Sequence, residues 1–457
     1  MPASQPSQGL RKYISLRSGV YLVVANMIGA GIFTTTGFQA ADIGDPRWIL
    51  PLWLVGGLLA FCGALCFAEL GAAMPEAGGE YAYLRNTYGP ALGFMSAIIS
   101  LTAGFSAPIA AACKAFARYW AGALGMRGSE DAMLGPFSAE DFIALGLVWL
   151  LVIIQLRGTK IGLRFLNGVT ILKIAGIVLI LLLAVVLGEG SLEHFTQIAP
   201  KFATQTFAER QSALGTALIF VMFCYSGWNA SAYFASEFEN PQRDVPRSLL
   251  FGTGAVVCLY LGLNAMYFYG APAEVLAGQT EVGLVAARNL FGKSGTMFTM
   301  VILLVSLLAS ASAMTMAGPR VYYAFGKDNS ALSFLGRTSV KRGVPYVALL
   351  VQGVVTSAIL LAGRIDQIMQ YAGFSLALFS SLAVSCVLVL RWRQPDLPRP
   401  FRTWGYPFTP LIFLASSCWM MFWSAQGRPL ESALALATVV IAGLVFTVLS
   451  KTSRNAS

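Results

Sequence analysis

Residues 20–40 read VYLVVANMIGAGIFTTTGFQA. The run is uncharged and long enough to span a bilayer, for which ~17–25 apolar residues suffice. Its middle nevertheless carries Gly29, Ala30 and Gly31. Glycine is a poor helix former and allows backbone conformations that other residues avoid. The segment therefore predicts a spanning helix that breaks at its centre. Residues 214–236, LGTALIFVMFCYSGWNASAYFAS, repeat the pattern, with Ser226, Gly227, Trp228 and Asn229 at the interruption. Two broken hydrophobic segments in the two halves of a chain point to a substrate site at the bilayer midplane.

The rest of the chain agrees. Of its 457 residues, 56% are hydrophobic and 11% charged, against about 25% charged in soluble domains. Hydropathy predicts an all-α integral membrane protein with twelve transmembrane helices, over 18–41, 48–73, 91–121, 141–157, 163–188, 212–236, 248–270, 295–322, 346–363, 367–391, 407–424 and 430–450. Spans one to five form a first unit, 18–188, and spans six to ten a second, 212–391. Each unit opens with a broken helix and has an odd number of spans, so the second is inverted relative to the first. Spans eleven and twelve, 407–450, are additions, and 1–17 and 451–457 are tails. The final TSRNAS is expected to be disordered. The first span is too long for a cleaved signal peptide.

Charge sets the orientation. With a cytoplasmic N-terminus, most of the 31 Lys and Arg residues fall on the cytoplasmic side. Both termini are therefore expected in the cytoplasm, in the plasma (inner) membrane. The net charge of +10 then faces anionic lipid, not nucleic acid. The seven cysteines, Cys62, Cys66, Cys113, Cys224, Cys258, Cys386 and Cys418, all lie in apolar spans without metal-ligand spacing. They read as reduced packing residues, with no disulfide framework and no metal site. The single histidine, His194, falls in an outer loop and cannot serve as an intramembrane proton relay. No Ser-His-Asp, metal-ligand or nucleotide-loop constellation appears, so an enzyme is disfavoured and no cofactor is expected. Gly29 and Gly31 lack the strand and βαβ context of a dinucleotide fingerprint.

The breaks carry the chemistry. A helix interrupted in the bilayer frees N–H groups on one half and C=O groups on the other. The N–H cluster attracts an anion, aided by the helix dipole, and the C=O cluster attracts a cation. A zwitterionic α-amino acid bears both charges on one carbon. Its carboxylate is expected over the N–H groups near Ala30, Gly31 and Ile32. Its ammonium is expected at carbonyls near Met27, Ile28, Phe223, Cys224 and Ser226, and Gly29 and Gly227 complete the expected substrate-binding set. The plainer alternative is that these glycines only permit close helix packing.

Four blocks carry a resemblance: NMIGAGIF at 26–33, PEAGGEYAYLRNTYGP at 75–90, FCYSGWNASAY at 223–233 and EFENPQRDVPRSL at 237–249. In this order they resemble the amino acid–polyamine–organocation superfamily, nearest its L-type amino acid transporters and their bacterial relatives. The resemblance implies a leucine-transporter-like fold, a five-plus-five inverted repeat with discontinuous first and sixth helices. It also implies an L-amino acid substrate and sodium independence.

Single residues then acquire readings. Lys173, inside the fifth span, is costly in a bilayer and a functional candidate by default. The resemblance implies that its ammonium replaces a sodium ion and ties the first helix to the eighth, where Ser310 is a candidate partner. Snorkelling to the surface is the alternative. Phe223 matches an aromatic that closes over substrate in the family; a core phenylalanine is the alternative. Glu237 and Arg243 read either as an inner-gate ion pair or as an ordinary surface pair. Lys114, in the outer half of the third span, either snorkels outward or contacts substrate.

Three function classes follow: a secondary transporter, a sensor that binds without transport, and a membrane enzyme. The transporter leads, for neutral amino acids, as an exchanger or a uniporter, with proton symport as the alternative mode. Some members of the family pair with a single-span glycoprotein through a disulfide. No cysteine here falls in an outer loop, so no such partner is expected.

Overall fold

The structure, a computed structural model, describes residues 12–123, 133–134, 137–197, 204–339 and 342–455. Residues 1–11 and 456–457 of the two tails lie outside the described residues. The chain is a helical bundle. Its first half contains α1 (Leu16–Met27), α2 (Gly31–Asp42), α3 (Pro46–Ala73), α4 (Glu80–Tyr88), α5 (Pro90–Ile99), a π-helical stretch at Ser100–Ser106, α6 (Ala107–Ala123), α7 (Ala139–Leu156) and α8 (Thr159–Leu187). The second half contains α9 (Phe207–Tyr225), α10 (Ala230–Tyr233), α11 (Pro241–Gly270), α12 (Ala273–Leu276), α13 (Val282–Asp328), α14 (Tyr346–Ala362) and α15 (Ile365–Arg393). Helices α16 (Phe408–Gly427) and α17 (Pro429–Asn455) follow. Among the described residues, ten helical segments are long and apolar enough to cross a membrane. The chain is an integral membrane protein.

Local chemistry explains the helix starts. Ser138 and Asp141 form a capping box on α7, and Thr206 and Glu209 form one on α9. Each box satisfies N–H groups that would otherwise stay free. Asp45 caps α3 through the Arg47 N–H, with Pro46 at the first helical position, where its missing N–H costs nothing. Helix α13 is longer than the hydropathy suggests because an added stretch precedes Gly292, whose φ of 65° kinks it. The tail expected to be disordered is instead helical to Asn455, since nothing in SKTSRN breaks α17.

The core forms around α1, which packs on α8, α11 and α13, while α2 packs on α9. In a bilayer, helices gain no hydrophobic advantage by touching, so small residues that permit close approach matter most. Gly252 of α11 faces Val23, Gly56 of α3 faces Val221, and Gly176 of α8 faces Ile302. Larger side chains at these places would separate α11 from α1, α3 from α9 and α8 from α13. The π-helical stretch in the third span had no sequence signal. Tyr322 donates from its hydroxyl to the Ser100 carbonyl there, and Phe105 packs on Tyr233 of α10.

Candidate functional site

The two expected breaks are present, and they touch. Helix α1 ends at Met27 because Ile28 leaves the helical region, with ψ of 87°. Helix α2 restarts at Gly31 without a side-chain cap. The N–H groups of Ala30, Gly31 and Ile32 have no backbone acceptor among the described residues. Helix α9 ends at Tyr225; Ser226 is extended, and Gly227 takes φ of +94°. That value lies in the left-handed region, which glycine enters without a Cβ penalty. A Cβ on Gly227 would stand 2.8 Å from Cβ of Asn26, and one on Gly31 would stand 2.5 Å from Sγ of Cys224. Each break is seated against the other, with no room for a side chain between them.

The carbonyl ends are held by two side chains. The Tyr260 hydroxyl of α11 lies 2.6 Å from the Met27 carbonyl oxygen and 2.9 Å from that of Cys224. It bridges the breaks and shares its one hydrogen between them. The Lys173 ammonium of α8 donates to the carbonyls of Ile28 at 2.6 Å and Ala25 at 3.3 Å. Phe223 O accepts from the Ser226 N–H at 3.0 Å. The carbonyls of Met27, Ile28, Phe223 and Cys224 thus already accept one bond each. A second lone pair on each remains for a ligand.

Lys173 is fully buried, which excludes snorkelling. Its expected link to the eighth span is corrected by the geometry. Among the described residues its ammonium bonds only the end of α1, and the Ser310 hydroxyl has no hydrogen-bond partner. Ser310 instead stands beside the first break, 2.9 Å from where a Cβ on Gly29 would be. Phe223 is buried on α9 near Gly373 of α15. Lys114 of α6 is partly buried. Its ammonium pairs with Asp141 of α7 at 3.2 Å, in a charged recess that also holds Arg118 and Glu140. Next to the second break, Met222, Ser226, Gly227, Gly373, Leu376 and Ser380 border a cavity of about 30 Å³.

The expected Glu237–Arg243 pair is not formed. Arg243 pairs with its neighbour Asp244 at 2.8 Å. Glu237 pairs with Arg320 of α13 at 3.0 Å, and both side chains are buried. Arg320 also donates to the Met316 carbonyl and lies over the Phe234 ring. The Glu237 carbonyl accepts from the N–H groups of Tyr13 and Ile14. This cluster fastens the segment after α10 to α13 and to the chain just before α1. In the middle of α2, the Gly37 carbonyl accepts from the Gly278 N–H at 2.9 Å.

Sequence reasoning missed Tyr260 and Arg320. A tyrosine in an apolar span must find an acceptor for its hydroxyl, and broken helices supply unused carbonyls. Arg320 lies in MTMAGPRVYY, inside the end of the eighth span. An acid directly after a broken span calls for such a buried partner.

Discontinuous helices meeting inside a membrane bundle are an arrangement of secondary transporters, and this chain has it. It belongs to the amino acid permease family, which matches residues 14–445, within the superfamily that the four sequence blocks resemble. It is 27% identical over 440 residues to the b(0,+)-type amino acid transporter 1 of Mus musculus, covering 96% of this chain and 87% of the relative. Identity to the Large neutral amino acids transporter small subunit 2 of Homo sapiens is 27%, covering 94% and 79%. The Serine/threonine exchanger SteT of Bacillus subtilis is 27% identical, covering 90% and 91%. These relatives are transporters, not enzymes.

Proposed function

We propose that the protein is a sodium-independent secondary transporter of neutral L-amino acids. It works by alternating access, as an exchanger or a uniporter, on a twelve-span, five-plus-five inverted repeat with both termini cytoplasmic. The carrying observation is the interlocked pair of breaks. Free N–H groups at Ala30, Gly31 and Ile32 suit a carboxylate. Carbonyls of Met27, Ile28 and Cys224 stand beside them for an ammonium. The Lys173 ammonium supports sodium independence, because a fixed cation already donates to the Ile28 and Ala25 carbonyls at the unwound end of α1. A neutral side chain is supported by the cavity beside the second break, whose bordering residues carry no charge; a charged side chain there would need a buried partner.

Relatives named for amino acid transport and for serine/threonine exchange lend further support. All seven cysteines lie within helices, not in the loops between them, which supports transport without a disulfide-linked glycoprotein. The test is uptake of a radiolabelled neutral amino acid into proteoliposomes, with and without internal substrate, in sodium, potassium and choline buffers and under a pH gradient. Equal uptake in the three salts is expected. Dependence on internal substrate marks an exchanger, and dependence on the proton gradient would replace that mode with symport. Binding without uptake would make the protein a sensor and overturn the proposal.

A further inference from the structure

A groove of about 850 Å³ runs between α3, α11 and the loop before α16. Phe61 of α3, Leu250 and Phe251 of α11, and Phe401 and Trp404 of the loop form its apolar walls. Its bordering residues on α11 extend from Gln242 near the helix start to Ala255. At 1.5 Å per residue this is roughly 20 Å, enough to pass from the membrane surface to near the middle of a ~30 Å hydrocarbon core. The groove opens sideways: Phe251 is 62% exposed and Trp404 60%. A Cβ on Gly254 would meet nothing within 4 Å.

The mouth is basic. Arg243 and Arg247 sit one helical turn apart at the start of α11. Arg243 is partnered by Asp244 at 2.8 Å. Arg247 is exposed and has no ion pair or hydrogen bond among the described residues. A zwitterionic headgroup would need an acid for its cationic end. The acid at the mouth, Asp244, is buried and already paired. An unpaired guanidinium above an apolar slot fits a ligand with a phosphate head and hydrocarbon tails.

We propose that this groove seats one anionic phospholipid, its phosphate on Arg247 and one acyl chain along Leu250, Phe251 and Gly254. The lipid joins α3 to α11, and α11 carries the Tyr260 that bridges the two breaks. The site stands independently of which amino acid is carried.

The test is native mass spectrometry of the purified full chain in micelles containing phosphatidylglycerol and phosphatidylcholine with matched acyl chains. Retention of phosphatidylglycerol over phosphatidylcholine is expected. Arg247→Gln should lower phosphatidylglycerol retention about fivefold without changing phosphatidylcholine. Gly254→Phe should fill the slot and lower retention of the anionic lipid by obstructing its chain. Arg337→Gln, at an arginine that does not border the groove, should have no effect. Equal retention of the two lipids by the unaltered protein would overturn the proposal. So would unchanged retention in both groove variants, or an equal loss in Arg337→Gln.

Discussion

The Lys173 ammonium on α8 and the Ile28 carbonyl oxygen, just past the end of α1, are 2.6 Å apart. The bond holds the end of α1 in its unwound form, because the carbonyl has lost its helical donor. Lys173→Met keeps the length of the side chain but removes the donor. It is expected to reduce uptake about fivefold or more while leaving the protein in the membrane. The loss follows from a buried carbonyl left unpaired, at about 1–3 kcal/mol. Uptake by the variant in sodium, potassium and choline buffers checks this. Unchanged rates would mean that the bond plays no part in the cycle.

Tyr260 makes the corresponding link between the breaks. Tyr260→Phe preserves the ring, which packs on Trp53 and Tyr225, and deletes only the bridging hydroxyl. A lower melting temperature is expected, corresponding to about 1–3 kcal/mol, together with weaker substrate binding. Thermal unfolding with and without a neutral amino acid measures both. A variant with unaltered stability and binding would show that the breaks hold each other without the bridge.

How much of this was legible in the residues depends on how local the cause was. The breaks were visible because glycines and small polar residues disrupt a run of helix formers in sequence, at 29–31 and 226–229. Lys173 was visible because a lysine stands out within an apolar span. Partners were not visible, because they join residues far apart in the chain. Glu237 and Arg243 are near neighbours in sequence, yet the fold turns Glu237 inward to Arg320 and leaves Arg243 to Asp244. Lys114 found Asp141 for the same reason: the start of α7 folds back against α6. The π-helical stretch at Ser100–Ser106 has no compositional mark, since its residues would equally suit an α-helix.

The Glu237–Arg320 pair should behave as a buried ion pair. Glu237→Gln or Arg320→Gln alone leaves one charge uncompensated and should destabilise the protein by about 3–5 kcal/mol. The double variant Glu237→Gln, Arg320→Gln removes both charges and should recover part of that loss. A double-mutant cycle on melting temperatures checks the coupling. Additive effects would show that the pair does not lock this end of the bundle. Because the pair joins the segment after α10 to α13, uptake should also fall in both single variants.

Glu80 should make stability depend on pH. It lies on α4, outside the spanning helices, and its side chain is buried. Burial pushes its carboxyl from 4.5 up to about 8. Tyr233 and Cys386 are among the titratable groups around it. Between those two pH values the folded chain keeps a proton that the unfolded chain has released. Stability must therefore fall as pH rises across that window and level off above it. Glu80→Gln mimics the protonated form and should flatten the dependence. Melting temperatures of both proteins from below 4.5 to above about 8 test the sign. Parallel curves would show that another group sets the pH response.

Recognition of the α-amino and α-carboxyl groups should be a backbone property of the two breaks. A side chain at Gly31 collides with Cys224, and one at Gly227 meets Asn26 in a backbone conformation that only glycine adopts readily. Gly31→Leu or Gly227→Leu should therefore push the breaks apart and abolish substrate binding, with the protein still inserted in the membrane. The complementary change is made on the ligand. An amino acid amide removes the carboxylate that the free N–H groups of α2 would hold. An N-acetyl amino acid removes the ammonium that the carbonyls would hold. Either should compete more weakly than the free amino acid for every side chain tested, by about 1–3 kcal/mol or more, because one set of buried backbone groups stays unpaired. Competition assays in proteoliposomes give the comparison directly. If blocked ligands compete as well as free ones, the substrate is not held by the breaks, and the interlocked glycines serve only to pack the two breaks together.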